Sequence, residues 1–330
     1  MEHFLKIIEN FKNQNILVVG DLMLDEYLWG EVNRISQEAP VPILDIKNIT
    51  YVPGGAANTA SNLSALKGKV FLVGVIGPED KGRLLKEILE ERGVDTQGVF
   101  VDENRKTTVK TRAIAKNQQM IRLDSEDRSP IELMYEQKIF NFVKEKIKEV
   151  KAIIISDYIK GVDTENLTKN IIELARNNNI FCLVDSKARD CQKYKNCNFI
   201  IPNEKELSQA LDLEIRSDGQ LLEAGKMLLS HVLCDNVLVK RGAKGMTLFE
   251  KNGNIFSYPA MNKKPVDVSG AGDTAIATFT LALVAGANLQ ESVIIASYAC
   301  SVVVGKMGTA VVSQEELRES LGNNSIHEQG

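Results

Sequence analysis

Six short runs along the chain are apolar at nearly every position and rich in β-branched residues: ILVVG (16–20), VFLVGVIG (70–77), AIIISD (152–157), FCLVDS (181–186), NFIIPN (198–203) and NVLVKRG (236–242). Successive side chains of a strand point to opposite faces, so a run that is apolar throughout belongs to a strand covered on both sides, as in a parallel sheet. Between these runs lie patterns with helical spacing, such as DKGRLLKEILEERG (80–93) and TENLTKNIIELARNNN (164–179). The alternation predicts an α/β fold, with a central, mostly parallel sheet sandwiched between two helical layers. Ligands of such sheets bind beyond the carboxyl ends of the strands. Asp21, Asp157, Asp185, Asn203 and Lys240 fall at those ends.

Two segments break the alternation. Residues 31–53 carry prolines and no helical period, and 105–127 read as a polar-alternating hairpin around KNQQ. Both are expected to form strands outside the main sheet, as a small β lid. Near the end, TAIATFTLALVAG (274–286) and ESVIIASYACSVVVG (291–305) are apolar nearly all round, which predicts buried helices. SQEE (313–316) reads as a capping box opening a last helix, and 322–330 as a disordered tail. Residues 1–330 are expected to form a single domain with this lid.

Composition narrows the chemistry. The chain has 330 residues, 44% of them hydrophobic, and a net charge of −4 with both signs interspersed. That balance gives no general attraction for nucleic acid or acidic membranes. The amphipathic start MEHFLKIIENFKNQN is unlike a signal peptide, and a cytoplasmic protein is expected. Five cysteines form no C-x-x-C pair, which argues against zinc and a disulfide framework, and three scattered histidines make no triad. Carboxylates and lysines must carry any catalysis.

The stretch DVSGAGDTAIATF (267–279) sets turn residues and carboxylates against a buried helix. Three readings are open: Asp273 as a helix cap; GAGDTA as a variant dinucleotide fingerprint, with Glu291 about twenty residues on; or Asp273 as a general base beside an anion hole. The second lacks the hydrophobic strand that should precede it. A P-loop is absent, since G-x-x-x-x-G-K-[ST] occurs nowhere.

GGAANTASNLSALKG (54–68), with GG-x-x-N, pairs with D-x-x-GAGD late in the chain. Together they resemble the two signatures of the PfkB or ribokinase family of sugar kinases, over essentially the whole chain. GDLMLDEYLWGEVNRISQEAPVPIL (20–44), VKTRAIAKNQQMIRLDSED (109–127) and SDYIKG (156–161) further resemble the branch acting on D-glycero-β-D-manno-heptose 7-phosphate. The resemblance implies a ribokinase-like three-layer fold with a lid. It implies ATP- and Mg²⁺-dependent phosphorylation of that sugar at its C1 hydroxyl, a step toward ADP-heptose and lipopolysaccharide. Many relatives carry a fused nucleotidyltransferase domain, whose activity is expected to be absent here. Rival readings are a family kinase for ribose, fructose, a fructose phosphate or a nucleoside, and a non-catalytic sugar-binding regulator on the same fold.

Carried over by motif, Asp273 matches the catalytic base and Gly270, Ala271 and Gly272 the anion hole. Asn203 and Glu206 match the N-x-x-E element serving Mg²⁺, largely through water, and the nucleotide phosphates. Lys240, Arg241 and Gly242 resemble the stretch beside the nucleotide. Asp25, with Asp21 nearby, Gly54, Gly55 and Asn58 match sugar contacts. Asp267 is a candidate neighbour of a monovalent cation such as K⁺. Arg112, Arg122, Lys160, Lys187 and Arg189 are candidates for the sugar's terminal phosphate, and Asn117 and Gln118 of KNQQ for its hydroxyls. An exposed lid edge predicts a homodimer formed through the lid.

Overall fold

The computed structural model describes residues 2–116, 118–261 and 265–324, and puts a strand on each of the six apolar runs. In chain order the strands are β1 (Asn15–Gly20), β2 (Leu22–Ile35), β3 (Pro42–Gly55), β4 (Lys69–Ile76), β5 (Asp95–Val101), β6 (Thr108–Ala115), β7 (Gln118–Ser125), β8 (Ala152–Asp157), β9 (Phe181–Ser186), β10 (Phe199–Ile200), β11 (Asn236–Lys240), β12 (Met246–Glu250) and β13 (Ile255–Tyr258). Among the described residues they form a nine-stranded sheet, ordered β13-β12-β11-β10-β9-β8-β1-β4-β5, and a four-stranded sheet, β3-β2-β6-β7. In the large sheet β12 and β13 are antiparallel to their neighbours and the remaining pairings are parallel.

The alternation along β1 explains the layering. Ile16 and Val18 enter one apolar core, with the helices Ala56–Ala65, Ala271–Val284 and Leu289–Val303; Leu17 and Val19 enter the other, against Leu133–Lys146, Glu165–Asn177 and Asp218–Val232. The expected three-layer α/β sandwich is the observed one. β5, β12 and β13 are additions, and the NFIIPN run supplies only a two-residue β10, because Pro202 has no N–H for a ladder.

The lid is larger than the expected 31–53 and 105–127. β2 begins at Leu22 and β3 runs to Gly55, and the residues Leu22–Asp25 and Pro53–Gly55 are buried, so these strand ends read as core in the sequence. Directly paired residues share a face. Asp25, Lys110 and Asp124 therefore line up with Tyr27, Arg112 and Arg122 on one side, and Glu26, Thr111 and Leu123 with Leu28, Ile49, Ala113 and Ile121 on the other. The last helix, Gln314–Asn324, covers the first residues of the expected 322–330 tail, and 325–330 lie outside the described residues. Among the described residues, no helix is long and apolar enough to cross a membrane.

Candidate active site

In the large sheet the chain turns one way from β1 toward β4 and β5 and the other way from β8 toward β11. β1 and β8 thus flank a topological switch point, where open α/β sheets form their binding crevices. The lid strand β2 leaves from the end of β1. The late helix Ala271–Val284 aims its start at the same place.

Gly270 is the N-cap of that helix, with φ of 79°, a left-handed conformation that glycine alone adopts freely. A Cβ there would lie 2.9 Å from Asn58 Nδ2. Asp273, in the first helical turn, is 4% exposed and accepts from Asn58 Nδ2 at 2.7 Å, from the Tyr158 hydroxyl at 2.7 Å and from Thr59 Oγ1 at 3.4 Å. Burial, followed by the charge of Asp185, raises its pKa above the ordinary carboxylate value, while the Tyr158 and Asn58 donors pull the other way. Of the expected anion-hole positions, the Ala271 N–H turns to Val268 O at 3.3 Å, whereas Gly272 lies beside Lys240 and Asp185.

Beside Asp273 lies a lysine and carboxylate network. Asp185, at the end of β9, is 1% exposed and pairs with Lys240 at 2.8 Å and Lys187 at 3.4 Å. Burial pushes Asp185 up, but the two ammoniums outweigh it and hold it below the usual range. Its Oδ2 is buried without a hydrogen-bond partner. Lys187 also pairs with Glu206 at 2.7 Å. Asn203 and Glu206 close a capping box: Asn203 Oδ1 accepts from Glu206 N at 2.8 Å and Glu206 Oε2 from Asn203 N at 2.7 Å. Arg241 is engaged by Glu204 and Asp218, while Lys240 and Gly242 line a cleft with Met246, Ala271, Cys300 and Val304.

On the lid side, Asp25 is buried, pairs with Arg112 at 2.8 Å and accepts from Thr309 Oγ1 at 3.1 Å. Gly54 makes room for it, since a Cβ there would sit 3.1 Å from Asp25 Oδ2. Gly55 pairs with Leu22 across the base of the lid. Asp267 accepts from Ser269 N at 2.9 Å and Gly308 N at 3.0 Å, which pins the turn before Gly270.

Several expected residues stand elsewhere. Asp21 faces backbone: Oδ2 accepts from the N–H of Tyr158 at 2.8 Å and Lys160 at 2.9 Å, and Oδ1 from Val162 at 3.1 Å. It holds the 158–162 loop in place of the expected sugar contact. The basic candidates divide: Lys160 and Arg122 lie within electrostatic reach of Lys110, with Lys187 and Arg189 apart from them. Lys187 lies with Glu206 on the Asp273 side, Arg122 is bound by Asp124 on its own strand, Lys160 pairs with Glu126 at 2.7 Å, and Arg189 is exposed on the surface. Gln118 is exposed on β7, and Asn117 lies outside the described residues.

Lys110 and Tyr158 were missed. Lys110 shares the inner lid face with Asp25 and Arg112, and burial together with the charges of Lys160 and Arg122 lowers its pKa although Asp25 opposes them. Its every-second-residue spacing from Arg112 in VKTRA was the available signal. Tyr158 sits inside the quoted SDYIKG, but nothing local in that stretch points to Asp273.

Residues 13–316 match the model of the pfkB family of carbohydrate kinases. The bifunctional protein HldE of Helicobacter pylori strain J99 is 44% identical over 304 residues, covering 92% of this chain and 65% of that protein. The protein of the same name from Geobacter metallireducens is 42% identical over 308 residues, with 93% and 63% covered. The chain thus spans just under two thirds of the length of these curated relatives. Among solved structures, Escherichia coli phosphofructokinase-2 in complex with substrates and products superposes with a TM-score of 0.78 at 20% identity, over 94% of this chain and 99% of that one. Arabidopsis thaliana ribokinase complexed with ribose and ATP gives 0.75 at 20% identity, over 93% and 98%. These two likenesses show the ribokinase-like fold.

Proposed function

The chain belongs to the pfkB family of carbohydrate kinases, and we propose that it transfers the γ-phosphate of ATP to the C1 hydroxyl of D-glycero-β-D-manno-heptose 7-phosphate. One observation carries the phosphoryl-transfer reading: the buried Asp273 carboxylate opens a helix between the inner face of the lid, which carries Asp25, and the cleft beside Lys240 and Gly242. The motif resemblance and the HldE relatives support the choice of sugar.

In this reading the sugar lies under the lid, with hydroxyls on Asp25 and Asn58. ATP takes the cleft lined by Lys240, Gly242 and Ala271. Asp273 accepts the C1 hydroxyl proton as that oxygen bonds to the γ-phosphorus, and the bond from the γ-phosphorus to the oxygen of ADP breaks. Helix-start N–H groups at Gly272 and Asp273, with Lys187 and Lys240, face the charge that builds on the transferred phosphoryl group. A divalent ion fits the donors present: Glu206 offers a carboxylate oxygen, and Asp185 Oδ2 is an anionic oxygen without a hydrogen-bond partner. Bound there, Mg²⁺ would neutralise the nucleotide phosphates. A monovalent cation beside Asp267 is part of the same reading. Lys110, Lys160 and Arg122, electrostatic neighbours across the lid and the 158–162 loop, are the proposed seat of the sugar's far phosphate.

We also propose a homodimer through the lid. The face opposite the site carries Ile49, Ile121 and Leu123, each more than 40% exposed, an apolar surface that a second copy would cover. Sugar-dependent ADP release tests the function: heptose 7-phosphate as best acceptor supports it, and unphosphorylated ribose or fructose as best acceptor overturns the choice of sugar.

A further inference from the structure

The loop after β8 is held with unusual force for a surface connection. Asp21 accepts from three of its backbone N–H groups, and Asp157 Oδ1 accepts from Ile159 N at 2.7 Å. Ile159 has φ of 58°, a left-handed conformation that a β-branched residue adopts only under constraint. Beneath the loop, Asp21, Asp157 and Asp163 bring one carboxylate oxygen each within 4.8 Å of one another, with Lys193 on Asp157 at 2.5 Å. A strained conformation persists where its surroundings over-determine it. What this one delivers is the Tyr158 side chain, whose hydroxyl reaches Asp273 Oδ1 from 115 residues away in the chain.

We propose that Tyr158 is a positioning residue for the general base: its hydroxyl fixes the Asp273 carboxylate by donating to Oδ1 and keeps it ionised for proton abstraction. The proposal rests on the reading of Asp273 as the base. Burial, then the charge of Asp273, pushes the Tyr158 phenol well above its usual range, so it remains a donor at every working pH. Two cations lie near its ring, Lys187 Nζ at 5.2 Å and Lys110 Nζ at 5.9 Å from the centroid. The other charged groups facing Asp273 are Asp185, which raises its pKa, and Lys187, which lowers it. Lys240 neutralises Asp185. With that environment constant, loss of the phenol donor destabilises the anion alone.

The sign follows. A donor to a carboxylate stabilises the ionised form, so Tyr158→Phe, which keeps the ring and removes the donor, raises the pKa of Asp273. A hydrogen bond to a charged group is worth enough to move it on the order of one pH unit upward. Two readouts separate this proposal from the reading beneath it. The first uses no substrate: the full chain is labelled with ¹³C at aspartate Cγ, the Asp273 resonance is assigned with Asp273→Asn, and its titration is compared in wild type and Tyr158→Phe. The second is the acid limb of the kcat/KM profile, with ATP and heptose 7-phosphate. Upward movement of both supports the positioning role, with KM for ATP unchanged. An unmoved Asp273 titration overturns it, and so does a moved titration with an unmoved acid limb. If wild type releases no ADP with any sugar, the kinase reading falls while the titration still decides the hydrogen bond.

Discussion

Asn58 and Asp273 stand 215 residues apart in the chain, yet a 2.7 Å hydrogen bond joins them. One ends the early GG-x-x-N stretch and the other the late GAGD stretch. The two motifs are thus halves of one site, clasped between the helices Ala56–Ala65 and Ala271–Val284.

Removing the base should cost turnover far more than binding. Asp273→Asn keeps the shape and the Asn58 contact region but cannot accept the sugar proton, and kcat should fall by on the order of 10²–10⁴ with ATP affinity nearly kept. A variant retaining more than about a third of wild-type kcat, with chemistry rate-limiting, would sink the general-base assignment.

Gly270→Ala tests the clasp itself. The new methyl meets Asn58 Nδ2 at 2.9 Å and Thr309 Cγ2 at 3.1 Å, in a backbone conformation with φ of 79°. The left-handed strain alone is worth about 1–2 kcal/mol. Urea unfolding should show that loss, and kcat should drop at least about tenfold as Asn58 is pushed off Asp273. Unchanged stability together with unchanged kcat contradicts this geometry.

The carboxylates under the 158–162 loop make a pH prediction. Burial, then Asp157 and Asp21, raises Asp163 well above the ordinary aspartate value of 3.8, and burial with Asp157 pushes Asp21 up to about 6. A raised folded pKa means that the native state binds the proton more tightly than the unfolded chain. Stability is therefore lost as pH rises above about 4 toward the folded value. Asp163→Asn removes the ionisation, and Asp163 Oδ2 has no hydrogen-bond partner to lose. The variant should be more stable than wild type at pH 8, and the gain should shrink toward pH 4. A gain independent of pH, or a loss at pH 8, contradicts the assignment.

The sheet was legible because its strands are apolar on both faces, and β8 and β9 fall on their predicted residues, 152–157 and 181–186. β12 and β13 gave no such signal: β12 is only five residues long, and β13, the edge strand, is exposed or half-buried throughout. The placement of Asp273 and its glycine turn at a helix start was readable because a motif needs those residues at that spacing. Asp21 was not, since a carboxylate accepting three backbone N–H groups looks, as a letter, the same as one facing a ligand. The lysines failed for a related reason: long side chains choose partners by tertiary contact, so Lys187 found Glu206 while its sequence neighbours gave no hint of it.

Oligomeric state tests the lid. Light scattering at tens of micromolar should report a dimer, and Leu123→Lys with Ile121→Lys, on the outer lid face, should yield a monomer. A wild-type monomer at that concentration refutes pairing through this surface.

The central claim is decided by one panel: ADP release with ATP and Mg²⁺ against heptose 7-phosphate, fructose 6-phosphate, ribose, fructose and adenosine. Charge-assisted contacts from Lys110, Lys160 and Arg122 to a terminal phosphate are worth about 1.5–3 kcal/mol each, so two of them separate heptose 7-phosphate from unphosphorylated ribose, fructose and adenosine by at least about a hundredfold in kcat/KM. The account predicts that heptose 7-phosphate leads those three by that factor, leads fructose 6-phosphate as well, and yields a product phosphorylated at both C1 and C7. A panel led by unphosphorylated ribose or fructose contradicts the heptose reading, and one in which no sugar releases ADP contradicts the kinase reading as a whole.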